Sequence, residues 1–210
     1  ETGGAAVLGR LLHGQRQGQG AGTTALVGLR NGPPQQTHLP EGGEEAAEKA
    51  ATAGADVVVV YLQSSILPGP SGSFLCLIKN STPDLVDNSE YEELSRLRER
   101  LRQFADTHRD QPLLLLIDQP PQADLSRAGA VQPAVLDELS KWSGTGPDQV
   151  PGLVTIVSSS AGEISHAVGV GGAGRTVFGH FVAAGLSNLA DQDKDGMLHL
   201  LEFHDFLTTE

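Results

Sequence analysis

Residues 57–62 read Val-Val-Val-Val-Tyr-Leu and residues 113–117 read Leu-Leu-Leu-Leu-Ile. A strand with no polar side cannot leave either face against water. Such runs demand a sheet covered on both sides, which is the habit of parallel sheets in α/β proteins. Both runs are strand-sized, far short of the ~20 apolar residues that cross a bilayer.

The rest of the chain alternates in the same sense. Residues 24–29, 73–78 and 153–157 are further apolar strands, and the segments 41–53, 89–107, 133–142 and 175–190 have helical spacing. In the second helix Leu94, Leu97, Leu101 and Phe104 form the apolar stripe, and Ser89 with Glu92 makes a capping box at its start. In the last, Phe178, Phe181, Val182, Leu186 and Leu189 share a face. Strands alternating with amphipathic helices predict an α/β fold, a three-layer sandwich around a mostly parallel sheet. The strand ends at 63–65, 118–121 and 158–162 should then meet on one edge, where ligands bind such sheets.

Three units follow. Residues 1–22 are a Gly- and Gln-rich lead-in with a short helix expected over 5–12, and Glu1-Thr2-Gly3 reads as a vector remnant. Residues 23–190 form the α/β domain. Residues 175–210 form a helix–loop–helix that shares the domain's last long helix.

The net charge of −12 disfavours nucleic acid, which needs a basic face, and suits cation binding. One cysteine, Cys76, rules out an internal disulfide and a cysteine zinc cluster. It falls mid-strand and reads as a core residue. Neither compartment nor oligomeric state follows from these numbers.

The segment 191–202 carries the densest chemical signal. Asp191, Asp193 and Asp195 occupy positions one, three and five of a twelve-residue loop. Gly196 stands at six, Met197 offers its carbonyl at seven, and Glu202 at twelve can bind through both oxygens. This spacing wraps a hard cation in oxygen ligands, so Ca2+ is the expected ion. Leu198 anchors the loop to the core, and Leu201, Phe203, Phe206 and Leu207 give the exit helix its apolar contacts. His199, at position nine, departs from the usual small polar or acidic residue and should weaken calcium affinity. No second loop of this kind is present, so a structural staple is expected rather than an opening sensor.

Four segments resemble the caspase and metacaspase superfamily, its bacterial members above all. They are 55–61, 72–77, 114–118, and 154–159 continuing to Gly185, Leu186 and Asp191. The resemblance covers roughly residues 40–207. It implies a caspase-like fold in which a Cys thiolate and a His would cleave peptides. Matching the turns places Ser65 or a neighbour where that His belongs, and Pro120 where the Cys belongs. Asp118 keeps the family's acidic position, which holds a basic substrate side chain. The resemblance therefore implies a pseudopeptidase: a calcium-binding module for scaffolding or for a protein or peptide partner, without membrane insertion.

The alternative is a hydrolase using Ser64, Ser65 or a serine of 158–160 at the sheet edge, although no GxSxG elbow is present. Gly169-Val170-Gly171-Gly172-Ala173-Gly174 matches GxGxxG but lacks a strand directly before it, so a loop is expected. His180, His199 and His204 cluster in the sequence and leave a joint transition-metal site open, but no ligand spacing such as HExxH is present, so a solvated or capping role is expected. Arg96, Arg98, Arg100 and Arg102 alternate with acids and read as an exposed, ion-paired face.

Overall fold

The computed structural model describes residues 24–30, 57–64, 66–69, 72–76, 91–119, 132–163, 165–168 and 175–209. The expected helices over 5–12 and 41–53, the glycines 169–174, Ser65 and Pro120 lie outside these residues.

The fold is mixed α/β. Strands β1 (Thr24–Arg30), β2 (Val57–Gln63), β6 (Leu113–Asp118) and β7 (Leu153–Val157) form a parallel sheet in the order β1-β2-β6-β7. The register pairs Thr24 with Val57, Val58 with Leu113, and Leu113 with Leu153. A separate antiparallel sheet joins β3 (Ile66–Gly69), β4 (Gly72–Cys76) and β5 (Tyr91–Glu93), and β8 (Ala167–Val168) pairs with β9 (Arg175–Thr176). The helices among the described residues are α1 (Leu94–Thr107), α2 (Pro133–Ser143), α3 (Val177–Ala184) and α4 (Leu200–Thr209). None is long and apolar enough to cross a membrane.

The unbroken apolar runs are used on both sides, because successive strand residues face opposite ways. Val58, Val60, Leu62, Leu113, Leu115, Ile117 and Leu153 pack with Leu94, Leu97, Leu101 and Ala105 of α1 and with Val135, Leu139 and Trp142 of α2. Val59, Tyr61, Leu114 and Leu116 pack with Val182 of α3 and Phe203 of α4, joined by Phe178, Leu186, Leu198, Phe206 and Leu207. Each fully buried Val, Leu or Ile side chain contributes about 1.5–3 kcal/mol, so two such clusters make the sheet the main source of stability.

Three expectations are corrected. Residues 91–93 are strand, not helix: their backbone pairs with β4, and α1 begins only at Leu94. Glu93 occupies the cap position without a side-chain cap, so the capping box of Ser89 and Glu92 does not start the helix. The long helix over 175–190 is also divided. Arg175 and Thr176 pair with β8, α3 then runs to Ala184, and a wide turn follows over Gly185–Leu189. Asn188 there has φ 75°, and this left-handed residue breaks the helical face. Leu189 is consequently 68% exposed instead of packed, and Leu201 of α4 is 76% exposed.

The arginines of α1 are also less uniform than their spacing suggests. Arg98 pairs with Asp148, and Arg102 Nη2 donates to the Pro147 carbonyl at 2.8 Å. Both reach across to the loop after α2 and hold it beside α1. From α2 itself, Glu138 Oε2 accepts the Ser73 N–H at 3.0 Å and ties in β4.

Candidate metal centre

The loop after α3 owes its shape to its own short side chains. Asn188 ends the preceding turn and donates to Asp191 Oδ2 at 3.4 Å. Lys194 (φ 60°) and Gly196 (φ 85°) then bend the chain back on itself. At position six this left-handed backbone suits glycine, which has no Cβ to obstruct it. Because of the bend, backbone N–H groups point at the loop's carboxylates. Asp195 N–H donates to Asp193 Oδ1 at 3.1 Å, Gly196 N–H to Asp191 Oδ2 at 3.1 Å, and Met197 N–H to Asp195 Oδ1 at 2.7 Å.

Asp191, Asp193 and Asp195 are thereby gathered, with one oxygen of each within 4.8 Å of the others. This spacing is suited to a metal ion held among oxygens. Asp193 and Asp195 are exposed, whereas Asp191 is 7% exposed. Its Oδ1 is fully buried and has no hydrogen-bond partner. A buried carboxylate oxygen left without a donor carries a desolvation cost that a cation would offset.

Glu202, the ligand expected at position twelve, is placed differently. Glu202 lies in the first turn of α4 and crosses the loop. Its Oε1 accepts the Gln192 and Asp193 N–H groups at 3.1 and 3.4 Å, and its Oε2 accepts the His199 N–H at 3.1 Å. It braces the loop and the start of α4 through the backbone and is not gathered with the three aspartates. The Met197 side chain is 45% exposed, and its N–H is spent on Asp195. Leu198, at position eight, is partly buried against the second cluster, so the loop is anchored to its own domain.

The sheet edge holds a second polar group. Asp118, at the end of β6, is fully buried. Tyr61 and Thr176 donate hydroxyls to its Oδ2, Gln63 Nε2 approaches the same oxygen at 3.5 Å, and Ser165 Oγ donates to Oδ1 at 3.4 Å. Burial pushes the Asp118 carboxyl above the usual carboxylate range. The bonds from Thr176, Tyr61, Ser165 and Gln63 pull it part of the way back. Asp118 is therefore enclosed by neutral donors and presents no open carboxylate to a basic side chain. These partners went unrecognised in the sequence because they come from distant segments and carry no motif.

The strand ends do meet at this edge. Ser64 N–H donates to the Asp118 carbonyl at 3.0 Å, and Gln119 N–H donates to Ser158 Oγ at 3.2 Å. Ser64 is 1% exposed. Ser159 Oγ is buried without a partner, and Ser160 N–H donates to Glu163 Oε2 at 3.0 Å. Cys76 contributes backbone to β4, opposite Tyr91.

No protein-family model, curated protein or solved structure matches this chain. Its chemistry therefore rests on the geometry of its own residues.

Proposed function

We propose that residues 191–202 are an EF-hand-type loop that binds one calcium ion as a fixed clamp on a caspase-like domain without peptidase chemistry. The observation that carries this reading is Asp191: a buried carboxylate, one oxygen unpartnered, set among two further aspartates. Hard oxygen ligands and the bend at Gly196 favour calcium among the common cations. Glu202 would complete the shell by turning its carboxylate from the backbone N–H groups to the ion, and the Met197 carbonyl would join it.

The clamp reading draws on how the loop is held. Ala190 and Asp191 are buried at one end, Leu198 packs in the middle, and Phe203 is buried just beyond. An ion drawing Asp191 toward Glu202 would lock α4 over the sheet. The domain itself we read as a three-layer α/β sandwich, because α1 with α2 and α3 with α4 join opposite clusters. The resemblance to caspases and metacaspases, with Ser65 and Pro120 at the catalytic positions, supports a role in scaffolding or in binding a protein or peptide partner.

Differential scanning calorimetry of the chain in EGTA and in millimolar calcium tests the clamp. Calcium at about 100 times Kd stabilises by about 2.7 kcal/mol, which for a chain of this size raises Tm by about 5–10 °C. An unchanged Tm at millimolar calcium would falsify the reading.

A further inference from the structure

We infer that the same loop also takes a first-row transition ion, with the His199 imidazole as an added nitrogen ligand. This rests on the cation site proposed above and extends it to a second class of metal.

His199 stands at position nine of the loop. Its Nε2 lies 3.6 Å from Asp195 Oδ2, and the two side chains are 57% and 36% exposed. Asp195 uses its other oxygen, Oδ1, for the Met197 N–H, which leaves Oδ2 turned to the imidazole. The His199 backbone is fixed by its N–H bond to Glu202 Oε2. The imidazole thus starts beside the carboxylate at position five, on a backbone held by the one at position twelve. The buried, unpartnered Oδ1 of Asp191 supplies the inner end of the site, independently of His199.

Two ligand atoms bound at right angles to one ion at about 2.1 Å lie about 3 Å apart. The observed 3.6 Å is close to that separation. A small rotation of a ring that is more than half exposed closes the difference. Metal preference then follows from ligand type. Calcium takes oxygen and gains little from an imidazole where a water would serve. Cobalt, nickel and zinc gain from the nitrogen. The loop therefore offers calcium an all-oxygen shell and offers a first-row ion a mixed oxygen and nitrogen shell.

The test uses the full chain stripped of metal, titrated separately with Ca2+ and Co2+ by calorimetry, with proton NMR of the cobalt form. The expected result is one equivalent of Co2+ and a paramagnetically shifted imidazole resonance. His199→Asn should remove that resonance and weaken Co2+ by about tenfold or more, while Ca2+ stays within about threefold. His204→Asn, on the exposed side of α4, should change neither; His199→Gln is a second variant should the first be unstable. Equal Co2+ affinity in wild type and His199→Asn, or a shifted imidazole that survives the substitution, overturns the inference. If wild type binds Ca2+ while Co2+ ignores His199, the clamp stands and only this inference falls. If wild type ignores Ca2+ but holds Co2+ through His199, the clamp falls and this inference stands.

Discussion

The Thr176 hydroxyl donates to the buried Asp118 carboxylate, and the same oxygen accepts the Gly179 N–H at 2.9 Å. One side chain thus ties the start of α3 to the end of β6. Since α3 and the turn after it lead into the loop over 191–199, the candidate metal site and the sheet edge lie at opposite ends of one short helical segment.

The first prediction concerns pH. Asp118 has its carboxyl raised, mainly by burial, so the folded state holds this proton more tightly than the unfolded chain. The stabilisation this gives is complete below the ordinary carboxylate range and is lost as pH rises through the raised value. Asp118→Asn cannot ionise. The stability of wild type relative to Asp118→Asn should therefore fall as pH climbs through that window. Urea unfolding in EGTA at a series of pH values measures it, and parallel curves would count against the assignment.

The second prediction uses Gly179. A Cβ there would lie 2.6 Å from the Tyr61 hydroxyl oxygen and 3.0 Å from Thr176 Oγ1. Gly179→Ala should cost about 1–3 kcal/mol through overpacking. In a Tyr61→Phe background the nearest obstacle is gone, so the added cost of Gly179→Ala should shrink. A double-mutant cycle by chemical denaturation gives the coupling, and strict additivity would contradict the close approach.

The third prediction separates neighbours on α4. Phe203 is 2% exposed and Leu201 is 76% exposed. Phe203→Ala should cost about 3–5 kcal/mol, whereas Leu201→Ala should stay within about 0.5 kcal/mol. Comparable losses would mean that α4 presents a different face to the sheet.

The fourth prediction reverses sign with metal. Asp193 is an exposed member of a crowded carboxylate trio. Asp193→Asn relieves repulsion, so in EGTA its Tm should equal or exceed that of wild type. In calcium the ranking should invert, because a charged ligand is lost. Paired thermal scans read both arms, and a variant that keeps the full calcium gain would exclude Asp193 as a ligand.

The fifth addresses hydrolase chemistry. Ser64 is buried and the Ser158 hydroxyl oxygen receives the Gln119 N–H. A fluorophosphonate probe should leave the folded chain unlabelled, as read by intact-mass spectrometry. Labelling abolished by one Ser→Ala change would replace the pseudopeptidase reading with a serine hydrolase.

Much of the sheet was legible because its signal is local. The apolar run at Leu153–Val157 is a strand with those bounds, and β2 and β6 begin or end within a residue of theirs. The gathering of Asp191, Asp193 and Asp195 was legible for the same reason: they are near neighbours in the chain and need only a tight bend to meet. What local pattern missed was decided by distant partners. Residues 91–93 have helical neighbours but pair with β4, and Arg175 and Thr176 pair with β8. The break at Asn188 depends on one left-handed residue, for which asparagine is only a weak hint. The enclosure of Asp118 needs Tyr61, Ser165 and Thr176, residues 47 to 58 positions away. The position of Glu202 turns on which donors its oxygens meet, and spacing carries no such information.

The strand order also sets a timetable for synthesis. β1, β2, β6 and β7 lie side by side in the order in which a ribosome makes them. Each new parallel strand finds its neighbour already translated, and the cluster beneath α1 and α2 has all its strands once Val157 has emerged. The opposite face must wait for Phe203. Until α3 and α4 have both followed, the nascent chain carries Val59, Leu114 and Leu116 without the helices that cover them.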